Sequence, residues 1–328
     1  NGFIQDGMND RNSENRGSPD PLLIVIAGPT ASGKSELALW LAEKLDGELI
    51  CCDSLQVYRR LDIGTAKPDA GERRRAVHHQ LDLVDLDQHY SAGRYAREAG
   101  RVIRDVSSRS RVPILVGGTG LYLRALLYGL NSVPEISGEL RDKVGAWLRE
   151  EGVQSCWNRL KKIDPVGAGT VHPQDSSRVQ RALEIVLSTG KPLQCFRNRG
   201  LSGTLRYPVC GIGCEWPRGE LYERINLRTL LMLKKGWIEE VRSILRNYPG
   251  NLKPLKSIGY REIIHHLRGG LDREELTQAI QQRTRQYAKR QLTWFRKDSF
   301  LHWHSPRERD RILSEISVCL EKKGGKQR

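Results

Sequence analysis

The chain has 328 residues, of which 38% are hydrophobic, and carries a formal net charge of +15. That length accommodates one large domain with an insertion, or two domains; no long apolar span and no signal-peptide pattern is present, which argues against a membrane or secreted class and for a cytoplasmic protein. Seven cysteines contain no C-x-x-C pair, so neither a zinc site nor a disulfide framework is suggested, and a polyanionic partner is expected from the basic balance.

Residues 1–19 are polar and rich in Gly, Asn, Ser and Asp, and read as a disordered tail. The apolar run Leu22 to Ala27 reads as the first strand. It leads directly into Gly28-Pro29-Thr30-Ala31-Ser32-Gly33-Lys34-Ser35, a complete G-x-x-x-x-G-K-S phosphate loop, and a helix is expected over Glu36 to Leu45. In such a loop the glycines let backbone N–H groups converge on phosphate oxygens, Lys34 adds positive charge, the Ser35 hydroxyl can reach Mg²⁺, and the helix N-terminus faces the same anion. The motif names neither the phosphate compound nor whether a phosphoryl group moves.

A second strand, Glu48 to Cys52, ends at Asp53. Near a phosphate cradle this carboxylate could hold Mg²⁺ through water, act as a general base, or serve only as a turn residue. Ser54, Gln56 and Tyr58 beside it add hydrogen-bonding groups without charge, which suits a neutral base better than a second phosphate. An irregular stretch runs to Pro68, followed by a helix from Ala92 to Ser108. The strand Val112 to Val116 then ends in the turn Gly117-Gly118-Thr119-Gly120 and a helix over Leu121 to Tyr128. Strands separated by helices give an α/β fold with a parallel sheet of the P-loop NTPase type, whose ligands collect beyond the strand ends.

From 133 to 204 the character shifts to charged helical segments, including Glu139 to Glu150 and Arg178 to Leu187, read as an inserted helical subdomain in a core formed by 20–132 and 205–316. Val209 to Cys214 is a return strand, and two helices joined near Gly236 cover Gly219 to Arg246. The remainder reads as mainly helical, with a polar tail over 317–328. It is also basic: residues 251–328 hold 18 Lys/Arg against 9 Asp/Glu. Within it Arg283, Arg285, Lys289, Arg290, Arg296 and Lys297 occur with no acid between them, mixed with Gln286, Tyr287 and Trp294, a combination suited to an RNA backbone and unstacked bases. The pairs His78-His79 and His265-His266 lack metal spacing.

The ordered set of motifs resembles the tRNA dimethylallyltransferases, or tRNA isopentenyltransferases, from about Leu22 to Trp303. It comprises the phosphate loop, Asp53-Ser54-Leu55-Gln56-Val57-Tyr58 with Asp62-Ile63-Gly64-Thr65-Ala66-Lys67-Pro68, Gly117 to Tyr122, Ser177 to Glu184, Ile258-Gly259-Tyr260-Arg261, and Lys289 to Arg296. The resemblance implies transfer of a dimethylallyl group from dimethylallyl diphosphate to N6 of the adenosine 3′ of the anticodon. It implies that Gly28, Thr30, Ala31, Ser32, Gly33, Lys34 and Ser35 bind the diphosphate with Mg²⁺ on Ser35, and that Asp53, Thr119 and Arg228 are catalytic. It further implies tRNA contacts by Asp53, Ser54, Leu55, Gln56, Arg141, Gln180, Arg181, Ala182, Leu183, Glu184, Lys256, Gly259, Tyr260, Arg261, Thr284, Arg285, Gln286, Lys289, Arg290 and Gln291, with the insertion gripping the anticodon stem-loop of one tRNA per monomer. One departure stands near Arg228, where Leu230 replaces an acid; the zinc-finger extension of some eukaryotic members is absent. Three rival readings are an adenylate isopentenyltransferase acting on AMP or ATP, an RNA-binding kinase or NTPase, and a non-enzymatic RNA-binding module. The basic segment speaks against the first, the Gly-Gly-Thr strand end against the second, and Lys34, Ser35 and Asp53 against the third.

Overall fold

The computed structural model describes residues 21–130, 136–197 and 204–324; the expectation for 1–19 lies outside them. The chain divides into two compact units, one made of the residues up to Leu123 and from Arg206 onward, the other of Arg124–Leu205.

In the first unit β1 (Leu23–Ala27), α1 (Lys34–Leu45), β2 (Gly47–Cys52), α2 (Ala70–Arg75), β3 (His78–His79), α3 (Ala92–Ser108), β4 (Val112–Gly117) and the start of α4 (Gly120–Leu127) follow in order. Six strands form one parallel sheet in the order β3-β2-β4-β1-β5-β6, where β5 is Val209–Cys214 and β6 Leu301–His304. The central strands are buried along their length, as continuous apolar runs covered on both faces require. One core packs Leu37, Leu41 and Ala42 of α1 against Ile24, Ile26, Ile114 and Ile212, together with Ile312 and Ile316 of the C-terminal helix α14 (Arg309–Gly324).

Register fixes the functional edge. Ala27 is level with Gly117 and Gly213, and Gly117 is level with Cys52. Gly28, Asp53 and Gly118 therefore leave the sheet side by side, at the carboxyl ends of parallel strands. The strands meet tightly here: a Cβ at Gly117 would lie 2.1 Å from the Cys52 carbonyl oxygen.

Between β5 and β6 run α10 (Arg218–Lys234), α11 (Trp237–Leu245), α12 (Tyr260–Leu267) and α13 (Arg273–Phe295), with a 3-10 turn at Pro254–Lys256. Gly236, at φ 99°, separates α10 from α11. Asp272 and Glu275 form a reciprocal capping box that starts α13.

Several expectations change. α1 begins at Lys34, inside the phosphate loop. Between Pro68 and α3, where no element is expected, lie α2 and the short strand β3, in which His79 Nε2 is 2.7 Å from Glu48. β6 has only four residues and no apolar run, so its strand character comes from pairing with β5. Helix α14 continues to Gly324 instead of giving way to a polar tail at 317, because Cys319 and Leu320 pack on the core above β5.

The second unit contains α5 (Gly138–Glu150), α6 (Gly152–Ile163), α7 (Pro165–Ala168), α8 (Ser176–Thr189) and α9 (Gln194–Arg197). Val144, Cys156, Leu160, Val179, Leu183 and Val186 close its own core. This unit begins within α4, ahead of the boundary expected at 133.

Candidate functional site

The phosphate loop is held in a shape its residues would not adopt unaided. Gly28 has φ 157° and a Cβ there would meet the Cys214 carbonyl at 2.9 Å; Gly33 sits at φ 83°, and Ala31 takes φ 63°, a conformation costly for a residue with a Cβ. Side chains distant in sequence tie down the loop's outer face. Trp216 Nε1 donates to the Ser32 carbonyl at 2.8 Å, Arg224 Nε to the Ala31 carbonyl at 2.9 Å, and the Thr30 N–H to Gln291 Oε1 at 2.9 Å. The inner face is left for an anion. The N–H groups of Gly33, Lys34 and Ser35 have no partner among the described residues, and the buried Ser32 hydroxyl is also unpartnered. Free N–H groups at a helix N-terminus match phosphate oxygens, and the orphaned Ser32 hydroxyl belongs to the same loop, 3.0 Å from the Cβ position of Gly28.

Lys34 Nζ folds back to the Pro29 carbonyl at 3.1 Å. Burial of its ammonium, reinforced by repulsion from Arg228, brings its pKa down to about 8, with Asp53 opposing the shift. Burial likewise lowers Arg228, and Asp53 again opposes it. Two cations and one carboxylate thus share the mouth of the cradle. Leu230 is 51% exposed, so the apolar residue in place of an acid sits at the surface of α10.

Asp53 Oδ1 accepts the Leu55 N–H at 2.8 Å and the Gln56 N–H at 3.3 Å, which makes it a turn residue and fixes the carboxylate's orientation; its other oxygen has no hydrogen bond among the described residues. Thr119 is placed by two bonds across the strand ends. Its N–H donates to the Cys52 carbonyl at 3.2 Å, and its Oγ1 accepts the Ser54 N–H at 3.0 Å. Burial raises the Tyr122 and Tyr287 hydroxyls, with Asp53 adding to both shifts, so two neutral phenols adjoin the carboxylate.

For a divalent cation the protein offers the exposed Ser35 hydroxyl and the nearby Asp53, and no cluster of three or more His, Cys, Asp or Glu is found among the described residues. Such a sparse donor set fits Mg²⁺, which keeps several waters and takes its remaining ligands from substrate phosphates.

The residues expected to touch RNA separate by burial. Lys256, Gln286, Lys289 and Arg290 are exposed on the first unit, and Thr284 and Arg285 are half-buried, Arg285 donating to Asn226 Oδ1 at 2.7 Å. Arg261 is exposed and pairs with the buried Glu262, as does Arg283 at 3.0 Å. Others are corrected. Tyr260 is 0% exposed and its hydroxyl donates to Glu240 at 2.7 Å, while a Cβ at the buried Gly259 would lie 1.9 Å from Trp237. Gln56 is not among the buried ones; it is half-buried, with its amide engaged: Cys51 Sγ donates to its Oε1 at 2.8 Å and its Nε2 donates to the Thr65 carbonyl at 3.0 Å. Gln291 is 6% exposed with both ends of its amide engaged. Ser54 and Leu55 are half-buried beside Asp53.

In the second unit Arg181 is exposed on α8, and Gln180 and Arg141 are half-buried. Ala182 and Leu183 belong to the core, and Glu184 is buried, accepting from Gln180 at 3.0 Å and from Arg181 at 3.3 Å. Their side chains hold the helix together.

Sequence reasoning missed Trp216, Arg224 and Glu240. Glu240 accepts the backbone N–H groups of Asp62 at 3.0 Å, Ile63 at 2.6 Å and Gly64 at 3.3 Å, and so anchors the Asp62–Pro68 motif. Arg224 lies one helical turn before Arg228 on the same face, the single signal that could have flagged it.

Residues 56–298 match the model of a family described as IPP transferase. A tRNA dimethylallyltransferase of Geobacter metallireducens is 45% identical over 296 residues, 90% of this chain and 96% of that protein. A tRNA dimethylallyltransferase of Pelobacter propionicus is 46% identical over 284 residues, covering 86% and 92%. Among solved structures, the tRNA isopentenylpyrophosphate transferase of Bacillus halodurans superposes with a TM-score of 0.69 at 35% identity, over 93% of this chain and 98% of that one. A eukaryotic dimethylallyltransferase acting on tRNA gives a TM-score of 0.77 at 29% identity, over 94% and 80%.

Proposed function

This chain belongs to the IPP transferase family, and from that premise we propose that it transfers a dimethylallyl group from dimethylallyl diphosphate to N6 of the adenosine 3′ of the anticodon in tRNA, releasing diphosphate. The single observation that carries the reading is the pairing, within one unit, of an anion cradle with an orphaned Ser32 hydroxyl and the basic outer face of α13.

The chemistry follows from the charges. As the allylic carbon separates from diphosphate, negative charge grows on the leaving oxygens, and Lys34, Arg228 and the free N–H groups of Gly33 to Ser35 stabilise it in place. Mg²⁺, held by Ser35 and diphosphate oxygens, would add Lewis-acid stabilisation of the leaving group. The adenine amine is a weak nucleophile; the free oxygen of Asp53 accepts its N–H, orients the lone pair toward the allylic carbon and takes the proton as the C–N bond forms. Thr119, bonded to the residue after Asp53, contacts the diphosphate or its reacting oxygen, the one that leaves the allylic carbon. The adenine must leave its stack to reach this point, and Lys256, Lys289 and Arg290 on the first unit, with Arg141, Gln180 and Arg181 on the second, hold the anticodon stem-loop while it does. The working form is one monomer on one tRNA, in the cytoplasm; among the described residues no helix is long and apolar enough to cross a membrane.

Nucleoside mass spectrometry after incubation with dimethylallyl diphosphate, Mg²⁺ and either an anticodon stem-loop or free AMP tests the reading. N6-dimethylallyladenosine in the stem-loop alone is expected. Product on AMP alone would move the chain to the adenylate class, and product on neither would sink the transferase reading.

A further inference from the structure

α13 presents two faces with different chemistry. Lys289 and Arg290 are exposed, whereas Ala288, Gln291 and Phe295, spaced by three and four residues, are buried against the rest of the unit. Gln291 is the polar member of that inner face. Its Oε1 accepts the Thr30 N–H of the phosphate loop at 2.9 Å, and its Nε2 donates to the Gly118 carbonyl at 2.8 Å. One amide thereby bridges the diphosphate cradle and the turn that carries Thr119.

The surroundings are shaped around this bridge. A Cβ at Gly118 would lie 2.4 Å from Gln291 Nε2, and one at Gly120 would lie 2.3 Å from Trp294 Nε1, one turn further along α13. The glycines of the Gly117–Gly120 turn are accounted for by the strand end and by this helix. Arg224 and Trp216 also tie the loop, but each grips it alone; Gln291 holds loop and turn together. A buried amide is stable only with its bonds made, so the bridge defines one spacing between the two segments.

We propose, resting on the transferase reading above, that Gln291 is a positioning residue: it sets the separation of the diphosphate cradle from Thr119, through the helix whose opposite face carries the basic stripe, and does not contact RNA. Loss of the bridge frees Thr30 and lets the strained Ala31 relax, which removes the aim of the loop's N–H groups.

The test compares Gln291→Met, which keeps the volume and loses both bonds, with Gln291→Glu, which keeps the acceptor but sets an oxygen against the Gly118 carbonyl, and with Gly118→Ala. Calorimetry with inorganic diphosphate and Mg²⁺ is expected to show affinity weakened about tenfold in each, matched by a rise in KM for dimethylallyl diphosphate, while stem-loop affinity and its salt dependence stay within about twofold of wild type. Gln291→Met combined with Gly118→Ala should be little worse than either alone, since both break one bridge. Unchanged diphosphate affinity, or loss of stem-loop binding as large as that of Lys289→Ala, would overturn the inference. Should Gln291→Met fail to fold, the other two variants decide by the same criteria. A wild-type protein that transfers the prenyl group while the variants bind diphosphate normally defeats this inference alone; a wild type that neither binds diphosphate nor transfers defeats the transferase reading and this inference with it.

Discussion

Thr119 Oγ1 accepts the Ser54 backbone N–H at 3.0 Å, which fastens the turn after β4 to the residue that follows Asp53. The carboxylate and the threonine are therefore set by one short bridge across two strand ends that the sheet register has already brought level.

Asp53→Asn keeps an acceptor for the Leu55 and Gln56 N–H groups, so the turn survives, but the amide cannot take the adenine proton. We expect kcat to fall by about 10²- to 10⁴-fold, with stem-loop affinity changed by less than about threefold. Steady-state kinetics beside a filter-binding titration check this; comparable loss in both would remove Asp53 from the role of base.

Lys34 titrates near pH 8 in the ligand-free protein. Diphosphate restores its charge, so binding near and above that pH must take up a proton. Calorimetry with inorganic diphosphate and Mg²⁺, in buffers of different ionisation enthalpy, should show proton uptake that rises between pH 7 and 9 and a parallel fall in affinity; Lys34→Met should abolish the lysine's share. The stability sign follows from the same shift. Between about pH 8 and the ordinary lysine range the unfolded chain holds the proton that the fold has released, so the ligand-free fold gains stability as pH rises through that window. Thermal melts from pH 7.5 to 10, compared with Lys34→Met, measure it.

Lys289 and Arg290 project from α13 without an acidic partner among the described residues, Arg290 lying over the Tyr287 ring at 5.8 Å. Each alanine variant should weaken stem-loop binding and reduce the slope of log K against log salt by about 0.7 to 1. Inorganic diphosphate affinity should not move.

Trp237 stands where side chains would grow from two motif glycines: a Cβ would lie 2.1 Å from its ring at Gly64 and 1.9 Å at Gly259, where φ is also 89°. Gly259→Ala should cost about 3 kcal/mol from overpacking and backbone strain combined. Gly269 supplies the control, since its φ is 79° but nothing lies within 4 Å of its Cβ position; Gly269→Ala should cost only about 1 kcal/mol. Urea denaturation of both variants separates the terms, and equal losses would mean that Trp237 yields.

The phosphate loop, the strand before it and the helix after it, Asp53 at a strand end, the basic stripe of α13 and the family motifs are all legible along the chain, because each is encoded by neighbours whose spacing or periodicity is the signal. What the sequence by itself could not determine was which motif residues face solvent. Tyr260, Leu183, Glu184 and Gln291 stand in the same motifs as Arg261, Arg181 and Lys289, and a motif records a residue's identity, not its burial. The folded chain separated the solvent-facing residues of these motifs from those that hold the scaffold, and it revealed the loop's outer ties. Gln291 reaches Thr30 across 261 positions and Arg224 reaches Ala31 across 193; no local pattern can carry bonds of that range, because they exist only once the sheet has closed and the C-terminal helices have packed over its edge.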